Sequence, residues 1–284
     1  MTNILEAICN IVENNNYNIL SIYQGRNRAN SVGYALEIFI KDSFANTLKE
    51  TNESKKLEKY NYLFSWLGNQ NNPPDIMIKG GDAIEVKKTQ GQKSDIALNS
   101  SYPKSKLKSN STMIINECRS CEVWEEKELI YCIGHTDDKE LKSLWMVYGN
   151  IYAANHKTYE IIKSKISDGI NQIPNVEFNV TKELGRVNRV DPLGITNLRI
   201  RGMWQIQNPR KVFNYLHDNI LDSTVVAIIP TEHYTLFPRE SIFRIESLKI
   251  KGFSISDKKV KNPNNPAKLV DCKLIMYNHE ETEE

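Results

Sequence analysis

The 284-residue chain is long enough for one large domain or two small ones, and its 40% apolar and 25% charged residues are ordinary for a globular protein. A net charge of +2 does not announce a polyanion partner, and five cysteines, an odd number, do not suggest a disulfide framework. No apolar run approaches the roughly 20 residues of a membrane helix, and residues 1–6 lack the basic and apolar stretches of an export signal. A cytoplasmic protein with no membrane association is therefore expected. Glu280, Glu281, Glu283 and Glu284 crowd negative charge into the last residues; without them the rest carries +6, mild support for a polyanion ligand.

In chain order, Ile4, Leu5, Ile8, Ile11 and Val12 have helical spacing, and a polar loop is expected over residues 14–30. Residues 34–44 predict a helix with Ser31 as its N-cap, and 54–67 a second one ended by Gly68. Two short β-prone runs, 75–79 and 82–88, joined by Gly80-Gly81, predict a hairpin. Residues 89–111 lack periodicity and read as a surface loop, and 112–127 as helical. The dense apolar runs 129–133 and 144–148 suit buried central strands. Helical spacing returns over 152–168; strands are expected at 196–201, 224–229, 241–250 and 270–277, and a helix from Pro209. No internal repeat or linker stands out. The fold class expected is α/β (α+β), with a central mixed sheet flanked by helices.

The chemistry concentrates in the hairpin. Side chains alternate along a strand, so Glu85 and Lys87 share one face while Ile84 and Val86 take the other. Folding back at the glycines brings Asp75 to the edge that Glu85 occupies. Two carboxylates and an ammonium converging on one point suit phosphodiester hydrolysis with Mg²⁺, a hard cation that takes few protein ligands and keeps several waters. Asp75, Glu85 and Val86 form the expected metal site, with Lys87 orienting a water or neutralising charge on the phosphate. Asp82 falls on the wrong face and is left out. Set against this, a Glu and a Lys two apart on a strand are commonly a solvated face, and the pattern occurs by chance in many chains.

DNA contacts are expected from residues directly after the catalytic strand, namely Asn99, Ser101, Lys104 and Lys106, the lysines as phosphate contacts. A second group is Arg186, Asn188 and Arg189, in a segment read as a loop, with Arg199 and Arg201 on one face of a strand. Arginine's fork matches the guanine O6 and N7 edge. Plain surface charge, paired with Glu183 or Asp191, is the competing account. The turn around Lys258, Lys259 and Lys261 is another basic patch that also reads as a solubilising loop. Cys118, Cys121, Cys132 and His135 have a spacing that zinc accepts, but Cys132 lies in an apolar run where a small buried residue is expected. His156, His217 and His233 stand alone, Trp145 and Trp204 read as packing residues, and there is no P-loop, nucleophile elbow or dinucleotide glycine pattern.

The string Asn71-Asn72-Pro73-Pro74-Asp75, followed by Gly81-Asp82-Ala83-Ile84-Glu85-Val86-Lys87-Lys88, resembles the NgoPII family of type II restriction endonucleases. Asn27-Arg28-Ala29-Asn30, residues 98–106, 182–189 and 199–204, and Lys261-Asn262-Pro263-Asn264-Asn265-Pro266-Ala267 are similar too, so the resemblance spans nearly the whole chain. It implies a PD-(D/E)XK nuclease core and a homodimer that cuts double-stranded DNA at a short GC-rich palindrome, GGCC being suggested, leaving 5′-phosphate ends. A cognate methyltransferase would be its functional partner. It also implies that Glu37, an acid on the first core helix, supports the metal site. The domain reading is one endonuclease domain over residues 1–284, with a catalytic core over about 31–170 and a recognition part over about 171–284. A structure-selective repair or junction nuclease and a non-catalytic DNA-binding protein are the alternatives.

Overall fold

Asn3 starts the first helix, α1 (Ile4–Asn14): its side chain accepts from the Leu5 and Glu6 amides, and its own amide group reaches Ser241 Oγ. The structure, a computed structural model, describes residues 2–19, 32–69, 72–111, 113–137, 140–172, 177–178, 184–217 and 224–279. The expected cap Ser31 and most of the polar loop before it lie outside the described residues. Helix α2 (Val32–Ala45) matches the predicted one. Helix α3 (Glu53–Leu63) stops four residues short of expectation, because Phe64 and Trp66 begin a strand, β1 (Phe64–Asn69), that finds a partner in β2 (Asn72–Ile78). Tertiary pairing overrides the helical reading there.

Helices α2 and α3 are fastened by a buried ion pair. Lys56 Nζ stands 2.5 Å from Asp42 Oδ2, while Asp42 Oδ1 accepts from Thr47 Oγ1 at 2.5 Å and from the Tyr60 hydroxyl. Asp42 is 0% and Lys56 2% exposed, so the pair and these hydroxyls help to offset the cost of taking two charges out of water.

Strand β2 turns at Gly80, whose φ of 62° favours glycine, into β3 (Ala83–Thr89). Two further strands, β4 (Ile96–Asn99) and β5 (Lys106–Lys108), lie in the stretch read as a loop. Each is short and takes a partner distant in sequence, so no local signal marks it. The expected helix over 112–127 is a single turn, Asn116–Arg119, before β6 (Glu126–Asp137) and β7 (Glu140–Tyr148). The chain continues through α4 (His156–Asn171), β8 (Glu177–Phe178), β9 (Gly185–Asn188), β10 (Leu198–Ile200), β11 (Trp204–Ile206), a short helix at Pro209–Val212, and β12 (Thr224–Pro230). The strand expected at 241–250 is instead α5 (Arg239–Glu246). Ser241 and Ile245 are buried four apart on one helical face, and Arg244 binds Glu6, Asn10 and Glu13 of α1. Strand β13 (Phe253–Asn262) absorbs the lysines read as a turn, and a reversal after Asn262 leads into β14 (Asn265–Asn278).

The central sheet runs β1-β2-β3-β6-β7-β12-β14-β13, and β5 pairs the first residues of β6. It is mixed: β3 with β6 and β7 with β12 are parallel, and the other neighbours along this order are antiparallel. Strands β6, β7 and β12 are buried over most of their length, as their continuous apolar runs require. Helix α2 lies against β3 and β6, where Gly134 lets Leu36 come close; a Cβ on Gly134 would stand 2.6 Å from Leu36 Cδ2. Strands β8–β10 form a separate three-stranded sheet, and β11 pairs β4. Among the described residues no helix is long and apolar enough to cross a membrane.

Asp82, excluded from the site by its parity, accepts from Tyr148 Oη at 2.8 Å, and burial pushes its pKa to about 6. A carboxyl raised in the folded state stabilises most below its unfolded value. The protein should therefore lose stability as pH rises from 3.8 to about 6. Asp82→Asn is expected to flatten that part of the profile, read as urea midpoints against pH.

Candidate active site

The β2–β3 ladder pairs Ile76 with Ile84 and Met77 with Ala83, and then stops. Continuing that register would set Pro74 opposite Val86, and proline has no N–H to give to the Val86 carbonyl. The Val86 amide turns instead to the Asp75 side chain, donating to Oδ2 at 2.6 Å. A strand residue sends its N–H and C=O to the same side, so the Val86 carbonyl opens toward Asp75 without a ladder donor. The Pro74 carbonyl is held by Trp66 Nε1 at 3.1 Å, which keeps β2 in place as it diverges. The proline before the aspartate is thus what converts a hairpin into a cluster of oxygen donors.

Glu85 and Lys87 share a face of β3, as their spacing predicted. Lys87 Nζ donates to Glu85 Oε1 at 2.5 Å and to the Val86 carbonyl at 3.2 Å, and it stands 4.0 Å from Asp75 Oδ2. The ammonium marks the point that these three oxygens favour for a cation. The donors are all hard oxygens, the set suited to Mg²⁺, so the residues fit the expected ion. Burial first, and then the charge of Glu85, push Asp75 up to about 7. Burial and the neighbouring carboxylate together outweigh the lowering by Lys87 and by the Val86 amide. The same partners, Glu85 and Asp75, raise Lys87 despite its burial. Glu37 on α2 is partly buried and lies 3.9 Å from Lys41; burial raises its pKa, and it feels the charges of Lys87 and Glu85. The structure therefore brings Asp75, Glu85, Lys87 and Glu37 into one electrostatic unit, with Val86 contributing its backbone.

The residues expected to touch DNA fall into two groups. Strand β4, the next strand after β3, ends at Asn99, opposite Trp204 of β11. Ser101 Oγ accepts from Lys104 Nζ at 2.9 Å. Lys104 sits beside Glu85, and a cavity of about 30 Å³ is lined by Glu85, Ser101, Tyr102, Lys104 and Tyr131 among others. Burial lowers the pKa of Lys104, opposed by Glu85. Its place next to the acidic pair was not legible in the sequence. Lys106 is bound by Glu126 and Glu128, each at 2.8 Å across the β5–β6 pair.

The segment holding Arg186 and Asn188 was read as a loop but is strand β9, because it pairs with β10. That register sets Arg186 directly opposite Arg199. Like charges placed directly opposite each other are unfavourable in a sheet. The buried Arg186 Nε has no hydrogen-bond partner. Arg189 follows with φ 50°, its side chain over Gly194, and Arg201 is exposed just beyond β10. Asp191 accepts from the Leu193 and Thr196 amides of its own turn. Trp204 packs against Tyr102 and Tyr159, and Trp145 is buried. Cys118 is buried with Sγ 3.5 Å from Met77 Sδ, Cys132 is buried in β6, and among the described residues no group of three or more His, Cys, Asp and Glu side chains is arranged to hold a metal. The oxygen set above needs the Val86 backbone to complete it.

Comparisons with known proteins identify the family of the chain that carries this site. The model of the NgoPII restriction endonuclease family matches residues 2–261. The type II restriction enzyme NgoPII of Neisseria gonorrhoeae is 46% identical over 279 residues, covering 97% of this chain and 99% of that protein. No solved structure matches. The chain belongs to the NgoPII restriction endonuclease family, and it is by class a type II site-specific deoxyribonuclease.

If Pro74 matters because it withholds an N–H, Pro74→Ala should restore a donor to the Val86 carbonyl. Cleavage is expected to fall by about 10–100-fold, the usual cost of disturbing a group that supports a metal ligand. Unchanged rates at limiting Mg²⁺ would remove the Val86 carbonyl from the site.

Proposed function

We propose that the protein hydrolyses double-stranded DNA at a short GC-rich palindrome, GGCC, in a Mg²⁺-dependent reaction that leaves 5′-phosphate ends. The observation that carries this reading is the ring of oxygens from Asp75, Glu85 and Val86 around the Lys87 ammonium, in a chain of a restriction-endonuclease family. Asp75, Glu85 and the Val86 carbonyl would hold the ion. Bound there, Mg²⁺ supplies positive charge for the phosphate and acidifies water. The Val86 amide, donating to Oδ2, fixes the Asp75 carboxylate at the edge of this site. Lys87 reaches the same face as Glu85 and meets the negative charge that grows on the phosphate in the transition state. Glu37 adds a further negative charge behind the pair and so favours a divalent ion over the lysine alone.

Arg186, Asn188, Arg189, Arg199 and Arg201 are the proposed recognition residues, and Asn99, Ser101, Lys104 and Lys106 contact the strand near the cut. Strand β11 ties these groups together, since it follows Arg201 and pairs with β4. A palindrome is read by a two-fold pair of identical subunits, so the active form is a homodimer, and a methyltransferase of the same specificity is its functional partner. Residues 1–284 act as one endonuclease domain; the catalytic core is about 31–170, and the recognition part from about 171 also supplies β12–β14 of the central sheet. Digestion of a plasmid of known sequence with Mg²⁺, followed by sequencing of fragment ends, tests the reading. Discrete fragments ending within GGCC are expected; cutting confined to branched DNA, or binding without cutting, would contradict it.

A further inference from the structure

A groove of about 590 Å³ runs between residues 100–111 and helix α4, beside the acidic pair. It shares Ser101, Tyr102 and Lys104 with the small cavity that opens onto Glu85. Six serines line it, together with Lys104, Lys106, Lys108 and Lys163. A small-molecule pocket is mostly apolar with a few polar groups. This groove is lined chiefly by polar residues and offers hydroxyl and ammonium donors. Such donors suit phosphate oxygens, which fix the register of a nucleic acid.

Its walls are held firmly. Tyr102 of one wall stacks on Tyr159 of α4 at 5.5 Å, and Trp204 meets both rings edge-on. The backbone of Lys104 is clamped at both ends by Tyr131 Oη, which accepts from its N–H at 2.8 Å and donates to its carbonyl at 3.1 Å. Gly149 lets that segment approach, since a Cβ there would stand 2.5 Å from Ser105 O. Of the lining lysines, Lys106 is held by two glutamates, while Lys108 has only Glu126 at 3.7 Å. Lys163 makes no ion pair or hydrogen bond among the described residues. Glu160, one of two acids in the lining, is engaged with the Tyr102 hydroxyl at 3.2 Å.

We propose that this groove carries the sugar–phosphate backbone of the strand being cut, leading it to Glu85, with Lys104, Lys108 and Lys163 contacting its phosphates. The proposal rests on the nuclease reading and adds Lys108, Lys163 and the serine face of α4 to it. These contacts position DNA without reading sequence.

The test uses the full-length protein, a short duplex of random sequence and no divalent ion, with affinity measured across a salt series. Lys163 is on the surface of α4, so Lys163→Ala leaves the fold intact. Each lost phosphate contact should reduce the slope of log affinity against log salt by about 0.9, and affinity at 0.1 M salt by roughly fivefold to tenfold. Lys108→Ala should act likewise, and Lys163→Arg should restore the wild-type slope. In the presence of Mg²⁺, Lys163→Ala should raise KM with kcat kept. Unchanged slopes in both alanine variants of a protein that cuts DNA would overturn the groove and leave the nuclease standing. Reduced slopes in a protein that never cuts would support the groove and sink the nuclease reading instead.

Discussion

Asp75→Ala and Glu85→Ala are each expected to lower cleavage by about 10³-fold or more while DNA still binds, the scale on which losing one transition-state charge contact is felt. The reason is geometric. Asp75 Oδ2 and Glu85 Oε1 both face the Lys87 ammonium, which also touches the Val86 carbonyl, so removing either acid leaves two oxygens where three define the cation position. Lys87→Ala should be equally inactive, but for another reason: the acids remain, and the charge forming on the phosphate loses its counter-charge. Single-turnover cleavage with a gel-shift control separates chemistry from binding. Retained cleavage in any of the three variants would contradict the assignment. The loss should appear in kcat more than in KM, because these groups act on the transition state.

Lys56→Met is expected to destabilise the protein by about 3–5 kcal/mol, the usual consequence of removing one partner of a buried ion pair. Asp42 is fully buried, and Thr47 and Tyr60, which donate hydrogen bonds to it, bring no positive charge. The damage should be global in urea unfolding and should also reach the active site, because α2 carries Glu37 a little over one turn before Asp42. Changing both residues to apolar ones of similar size should recover most of the loss, since an ion pair of this kind costs nearly as much to desolvate as it returns. A Lys56→Met protein as stable as the wild type would show that the pair is solvated rather than buried.

Much of this architecture was legible because local and global preferences agree. The runs in β6, β7 and β12 are apolar enough to require burial on both faces, and Gly80 at positive φ fixes the hairpin. The acid–lysine spacing in β3 gave the shared face of Glu85 and Lys87 directly from strand periodicity. What stayed hidden depends on partners far away in the chain. Strands β4 and β5 exist only because β11 and β6 receive them, and β9 was polar enough to pass for a loop until β10 paired with it. Residues 241–250 looked β-prone through Ile242, Phe243 and Ile245, yet Arg244 anchors them to α1 as a helix, with Phe243 left 75% exposed. The place of Lys104 could not be read either, since only the clamp by Tyr131 and the close approach to Gly149 bring it beside Glu85. Pro74 is the instructive intermediate case. Its missing N–H was visible in the sequence, but its meaning required the register that sets it against Val86.

The most direct measurement is anomalous diffraction from crystals of the DNA complex grown with Mn²⁺ in place of Mg²⁺. A peak bonded to side-chain oxygens of Asp75 and Glu85 and to the Val86 carbonyl, with Lys87 no longer on Glu85, is the predicted result. A peak held by other residues, or none at these three oxygens while the crystals' DNA is cut, would contradict the account at its root.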